Sequence, residues 1–408
     1  MNVAIVNMTH KGSTGRIMLN IAQTARKEGH NVKTYSPVLF SRVAKEKEFV
    51  ADNHYTWGSR FGYAFHYYCG TALGLNGFFS YTGTRKLIRD LKKFKPDIIH
   101  LHNLHNFSVN LPLLFNYIKK ARIKVIWTLH DCWAFTGHCP HFTVAGCDKW
   151  KTGCNKCSQL AFYPKSYVDT SKLMYSLKKK WFTGIENMTI VTPSKWLADI
   201  VAESFLGKYS VVVINNGINL EIFKATENNC RHKYGIPEER TILLGVSLGW
   251  SERKGLDVFI ELSKRLDDEK YQIVLVGTND RTDESLPDSI ISIHQTSNPQ
   301  ELAEIYSVAD LFVNPTREET YPTVNMESIA CGTPVLTFRT GGSPEILDNT
   351  TGSVVECDDI DSMINEINRI CNDKPYSREN CLVRAKSFDM NDRFKEYVKL
   401  YEDCTHST

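Results

Sequence analysis

Leu311-Phe-Val-Asn-Pro-Thr-Arg-Glu-Glu-Thr-Tyr-Pro-Thr-Val-Asn-Met-Glu-Ser-Ile-Ala-Cys-Gly-Thr-Pro-Val-Leu-Thr-Phe338 carries its own punctuation. Leu311–Asn314 reads as a buried strand and Pro315–Tyr321 as a loop. Pro322 suits the first turn of a helix, where its missing N–H costs nothing. That helix runs to about Cys331, Gly332 supplies the left-handed cap, and Val335–Phe338 resumes as a strand. Glu319 therefore precedes a helix N-terminus and Glu327 lies one to two turns inside it. The free N–H groups and partial positive charge of a helix start suit a phosphate, and here that start is Tyr321-Pro322-Thr323, with N–H groups on Tyr321 and Thr323. The two carboxylates accept hydrogen bonds only, which suits sugar or ribose hydroxyls. An isolated glutamate pair would ordinarily be a solvated acidic loop before a core helix, so the rest of the chain has to decide.

The chain has 408 residues, 42% hydrophobic and 23% charged, enough for two domains of about 200 residues. β/α alternation occurs twice. Strands are expected at Val3–Met8, Val32–Tyr35, Ile98–Leu101, Val125–Leu129, Thr189–Thr192 and Val211–Ile214, then at Thr241–Val246, Tyr271–Val276, Ile290–Ile293, Leu311–Asn314 and Val335–Phe338. Continuous apolar strands separated by helices imply parallel, doubly wound sheets covered on both faces. The boundaries expected are residues 1–216, 217–380 and a closing segment 381–408, with Phe394, Tyr397, Val398 and Tyr401 at helical spacing. No apolar run approaches the roughly 18 residues that span a bilayer. The start reads as a strand rather than a signal peptide, so a cytoplasmic protein, at most peripheral on the membrane's inner face, is expected.

Two such domains facing each other would form a cleft at the carboxyl ends of their strands, where these folds bind ligands. After the first strand comes Thr9-His-Lys-Gly-Ser-Thr-Gly-Arg16, in which Gly12, Gly15 and Arg16 open a helix suited to an anion. It is not the dinucleotide pattern. His100-Leu-His-Asn-Leu-His105 and Thr128-Leu-His-Asp131 end two strands. His100 and His105 read as satisfied core side chains, whereas His130, before a long loop, and then His102 are the candidate contacts. In the second half, Arg253-Lys254-Gly255 follows a strand, and Thr340-Gly-Gly-Ser343 places Gly341 and Gly342 at a later turn. His294 and Gln295 mark where a nucleotide base would lie.

These strings together resemble the E-x7-E segment, the basic pair and the glycine loops of retaining glycosyltransferases of family 4, the "group 1" set with the GT-B fold. The resemblance implies two Rossmann-like domains and a hexose moved from a nucleotide diphosphate sugar, UDP-hexose first among candidates, to a hydroxyl with retained configuration. It further implies Lys254 and Arg253 on the donor's phosphates, Glu319 on the sugar, Glu327 on the ribose, His130 reaching the donor sugar, and no metal needed for catalysis. One departure stands out: the arginine usual six residues before the lysine is Leu248 here. The insert after Thr-Leu-His-Asp is similar to enzymes of exopolysaccharide, capsule and colanic acid assembly. A sugar-nucleotide epimerase or a non-catalytic sugar-binding protein of the same fold is the alternative, although the glutamate string matches the first poorly and the second would be expected to lose it.

Charge is lopsided. Through Asn216 there are 29 Lys+Arg against 12 Asp+Glu, a net +17, and the remainder carries −14. No nucleic-acid motif accompanies the basic half. An anionic membrane face or a saccharide acceptor on a lipid diphosphate fits it better. Arg85–Lys95 and Lys178–Lys180 are the expected contact clusters. Cys139, Cys147, Cys154 and Cys157 share one long loop. In a reducing compartment they read as free thiols or as a closed, structural four-thiolate zinc site.

Overall fold

Two parallel sheets organise the chain. The computed structural model describes residues 1–38, 53–105 and 107–406. Contacts divide it into two units, Met1–Asn215 with the chain from Phe394 onward, and Asn216–Arg393.

The first unit contains β1 (Asn2–Val6), β2 (Asn31–Pro37), β3 (His54–Trp57), β4 (Ile98–Leu101), β5 (Lys124–Thr128), β6 (Met188–Thr192) and β7 (Ser210–Val213). Their order is β3-β2-β1-β4-β5-β6-β7, and every pairing is parallel. The second unit contains β8 (Thr241–Val246), β9 (Tyr271–Val276), β10 (Ile290–Ile293), β11 (Leu311–Asn314), β12 (Val335–Phe338) and β13 (Gly352–Val355), ordered β10-β9-β8-β11-β12-β13. These pairings too are parallel. Central strands such as β4, β9 and β11 are buried along their whole length, which is why they read as apolar runs without alternation. In each sheet the order reverses beside the first strand, at β1/β4 and at β8/β11. Loops leaving such a switch point diverge and leave room for a ligand. The Gly12 loop and His102 follow β1 and β4, and Lys254 and Glu319 follow β8 and β11.

Several boundaries differ from expectation. The Gly12–Lys27 helix takes the glycine loop into its own first turn. A Cβ on Gly15 would lie 2.4 Å from the carbonyl carbon of His10. β3 and β13 are short strands unforeseen in the sequence. The Arg60–Leu73 helix escapes notice because its buried positions are His66, Gly70 and Thr71, not an apolar stripe. Residues 381–393 stay with the second unit, because Cys381, Ala385 and Phe388 enter its core and Ile218 exchanges backbone hydrogen bonds with Phe388 and Met390. The return to the first unit comes at Phe394. There Phe394, Tyr397, Val398 and Tyr401 are buried, and the Tyr401 hydroxyl meets His100 Nδ1 at 2.7 Å. Among the described residues no helix is long and apolar enough to cross a membrane.

The Tyr401 contact is testable. Tyr401→Phe removes a buried hydrogen bond between the final helix and β4 and leaves the His100 nitrogen unsatisfied, a loss of about 1–3 kcal/mol. It is measured as a lower urea midpoint, with an unchanged circular dichroism spectrum.

Candidate functional site

In the second unit Lys254 closes a short turn after β8, and Glu319 lies in the loop after β11. Lys254 Nζ donates to Glu319 Oε2 at 2.7 Å, with both side chains about three-quarters buried. The two loops are locked from below. Arg317 holds Asp257 through two nitrogens, at 2.8 and 2.7 Å, holds Asp358 at 2.6 Å, and also donates to the Glu252 carbonyl. Its guanidinium keeps the Asp257 carboxyl below the usual range. The Arg317 amide donates to the Arg253 carbonyl at 3.0 Å, while the Arg253 side chain is exposed. Gly255, at φ +78°, passes over Pro315 where a Cβ would stand 2.5 Å from the ring. Gly341, at φ +55°, lies so close to Glu319 that a Cβ would fall 1.7 Å from its carbonyl oxygen. Gly342 donates its amide to Thr320 at 3.1 Å. The two late glycines thus set the backbone of Glu319.

Pro322 is the N-cap of the Thr323–Ala330 helix, and no side chain caps it. Within that helix Glu327 is buried and accepts a 3.4 Å hydrogen bond from Tyr306. Burial and this carboxylate push the Tyr306 phenol well up. Tyr306 was not legible as a site residue, because in sequence it is one more apolar position of the preceding helix. Two buried polar atoms beside this segment, Asn325 Nδ2 and Ser343 Oγ, have no hydrogen-bond partner. Leu248, where the resemblance leads one to expect arginine, is 97% exposed.

In the first unit Gly12, Gly15 and Arg16 form the start of their helix, with Arg16 exposed and no side-chain cap. The histidines beyond β4 and β5 form a row. His100 is enclosed, held by Tyr401 and by Thr128 Oγ1 at 2.8 Å, with its pKa lowered by burial to about 3. His102 Nδ1 faces His130 Nε2 at 2.9 Å with the rings stacked, and His102 Nε2 is buried without a partner. Burial lowers both, His130 to about 4 and His102 well below its ordinary value. Both rings are therefore neutral near pH 7, one donating to the other. His105 joins Asp131 at 2.9 Å, and Asp131, its pKa lowered to about 2 by that histidine and by backbone hydrogen bonding, orders the loop start through the Trp133 amide.

The chain matches the family model "Glycosyltransferase Family 4" over residues 14–222 and "Glycosyl transferases group 1" over residues 239–373. It belongs to glycosyltransferase family 4. It is 25% identical over 274 residues to the putative colanic acid biosynthesis glycosyl transferase WcaC of Escherichia coli, an alignment spanning 65% of either chain. An uncharacterized 41.2 kDa protein in the cps region of Klebsiella pneumoniae is 23% identical across 78% of this chain and 81% of its own. Among solved structures, a glycosyltransferase from Rickettsia africae superposes with a TM-score of 0.72 at 18% identity, covering 100% of this chain and 99% of its own. Anabaena HepE, solved in complex with UDP-glucose, superposes at 0.68 and 14% identity, covering 99% and 100%. At those identities the likeness establishes the GT-B fold.

The residues expected from the resemblance divide into two sets, one per unit, and the long insert after β5 belongs to neither. Lys178 was expected on the surface with Lys179 and Lys180. It is instead buried, donates to the Trp133 and Thr136 carbonyls at 2.8 and 3.1 Å, and sits 3.5 Å over the Trp133 ring. Burial lowers its pKa to about 7. The insert brings its cysteines near one another. Cys139 lies beside Cys157, which keeps the Cys139 proton on, and Cys154 Sγ accepts from the Gly137 amide at 3.2 Å. Among the described residues no group of three or more His, Cys, Asp or Glu is arranged to hold a metal ion. Asp359-Ile-Asp361, which resembles a metal-binding string, serves structure: Asp359 caps the following helix and Asp361 pairs with Arg265.

The histidine row predicts a pH dependence. His130, His100 and His66 have native pKa values of about 4, 3 and 3, below the unfolded value of 6.5. Between that value and about 4 the unfolded chain binds more protons, so stability falls as pH falls and levels off above about 6.5. The urea midpoint should drop on going from pH about 7 to about 5, and His130→Gln should flatten part of that slope. A midpoint independent of pH in wild type would contradict the neutral pair.

Proposed function

We propose that the protein is a retaining, metal-independent hexosyltransferase. It would use a nucleotide diphosphate sugar, with UDP-hexose the leading candidate, and an acceptor saccharide carried on a lipid diphosphate, in surface polysaccharide assembly. The observation that carries this reading is the Lys254–Glu319 pair at the switch point of the second sheet, with the buried Glu327–Tyr306 contact in the helix that follows Glu319. The names of the colanic acid and cps-region relatives and the UDP-glucose bound to HepE support it.

As the sugar–oxygen bond breaks, negative charge grows on the departing diphosphate, and a fixed cation lowers the energy of that state. Lys254 supplies the cation, with exposed Arg253 beside it and the uncapped start of the Thr323–Ala330 helix offering N–H groups. The diphosphate, leaving on the face from which the acceptor hydroxyl approaches, takes the hydroxyl's proton. Glu319 accepts hydrogen bonds from the sugar, and its charge steadies the cationic anomeric carbon. Glu327, oriented by Tyr306, accepts from the ribose. Gly12, Gly15 and Arg16 are assigned to the diphosphate, His130 to the sugar and His102 to the acceptor side. Because Glu319 already occupies Lys254, donor binding has to redirect that lysine from carboxylate to phosphate.

That exchange separates the roles experimentally. Glu319→Gln should cut transfer by about a hundredfold or more while UDP binds as well as or better than to wild type, since the lysine loses its competing carboxylate. Lys254→Ala should lose both transfer and UDP affinity, and Glu327→Gln chiefly donor affinity. Calorimetry with UDP and a transfer assay over UDP-, GDP-, ADP- and dTDP-sugars measure these outcomes. Near-wild-type turnover in Glu319→Gln and Lys254→Ala together would overturn the assignment.

The structural zinc rests on cysteine spacing alone and is a separate proposal. Elemental analysis of protein purified without added metal should find near one zinc per chain. Metal-free protein of unchanged, chelator-insensitive melting temperature would leave Cys139 and Cys157 as a pair of neighbouring thiols.

A further inference from the structure

An amphipathic helix on a protein surface ordinarily turns its apolar side inward. The Arg60–Leu73 helix does the opposite. Its buried side is His66, Gly70 and Thr71: His66 bridges Ser80 Oγ and the Gly77 amide, and Gly70 packs on the Phe107 ring. Its outer side carries Phe61, Phe65 and Tyr68, at helical spacing and 81%, 50% and 66% exposed. A second segment extends this surface. The Tyr167 amide donates to the Thr71 carbonyl at 3.0 Å, and Thr170 Oγ1 bonds to Gly74, so Tyr167 and Val168 stand exposed beside the helix's end. Of the fifteen large apolar side chains exposed among the described residues, eleven lie between Phe61 and Tyr81 or between Phe162 and Leu173. Singly exposed apolar residues are ordinary, but a contiguous patch of this kind marks a contact surface.

The charges around the patch identify the contact. From His54 to Arg89 there is no Asp or Glu, while Arg60, Arg85, Lys86 and Arg89 are all exposed. Arg85 lies over the Tyr81 ring at 5.5 Å, and Lys165 over the Tyr167 ring at 5.0 Å. Asp169, the one carboxylate of the second segment, is engaged by the Cys157 and Ser171 amides. Phenylalanine and tyrosine flanked by lysine and arginine, with acids excluded, is the composition of a helix lying in a membrane interface: rings enter the headgroup boundary and cations meet lipid phosphates. A second copy of the chain would bring the same cations against these.

We propose that the outer face of the Arg60–Leu73 helix, together with the Tyr167–Val168 segment, docks the first unit on an anionic lipid bilayer. This goes beyond the transfer reaction and does not depend on it. It also moves the membrane contact away from Lys178–Lys180, whose first member is buried, and onto a surface where cations and aromatics coincide.

The test is co-sedimentation with vesicles of phosphatidylcholine alone, or of equal parts phosphatidylcholine and phosphatidylglycerol. Wild type should bind the mixed vesicles and release as salt rises, because surface charges are screened within about 8 Å at physiological ionic strength. The variant Phe61→Ser/Phe65→Ser/Tyr68→Ser should bind about tenfold or more weakly. Arg60→Glu/Arg85→Glu/Lys86→Glu should abolish the preference for phosphatidylglycerol. Phe65→Trp should shift its emission to the blue on mixed vesicles, which reports insertion without disturbing the face. The thermal shift with UDP should be unchanged in all three, so failure of docking and failure of the proposed transferase reading are distinguishable. Equal wild-type binding to both vesicle types, wild-type binding by the serine variant, or a dimer in solution that the serine variant dissolves would each overturn the proposal.

Discussion

Lys254 and Glu319 meet because β8 and β11 are neighbours in the sheet although two strands separate them in the chain. A parallel sheet sends every strand's carboxyl end to one edge, and the reversal of strand order there draws successive loops apart. Two charged side chains from such loops can come within hydrogen-bond distance only if both backbones are held. Arg317 holds one to the other through Asp257 and the Arg253 and Glu252 carbonyls. Gly341, accepting a left-handed conformation and pressed against the Glu319 carbonyl, fixes the second from behind.

The two units manage buried polarity in opposite ways. In the second, opposite charges sit at the surface of the loops and a carboxylate is buried against a phenol. In the first, uncharged imidazoles line up beneath the strand ends, each partnered by a ring or hydroxyl, because burial makes a second proton too costly. Apart from the buried Asp131 and Lys178, charge in the first unit lies toward its outside, where it surrounds exposed aromatic rings. The domain is therefore basic where it meets solvent, while the His102–His130 pair is neutral.

The long insert after β5 follows the same economy. Asp131 and His105 fix its start, the buried Lys178 ammonium ties two of its carbonyls, and Trp150 stacks on Phe142 with ring centroids 5.0 Å apart. These contacts order the loop by hydrogen bonding and ring packing.

Sequence by itself determined the alternating strands and helices, because a strand buried on both faces must be apolar throughout and a helix start needs its proline, glycine or capping residue. It also marked Glu319, Glu327, Lys254 and His130, through the resemblance of the strings that hold them to the glycosyltransferase family, because taken singly each reads as an ordinary loop or strand-end residue. Tertiary structure alone decided the pairing of Lys254 with Glu319, the partnership of Glu327 with Tyr306, the burial of Lys178 and the outward turn of the Arg60–Leu73 helix. Each depends on which elements become neighbours. Periodicity along one chain reports that a face is apolar, and only packing settles whether that face meets the core or the solvent.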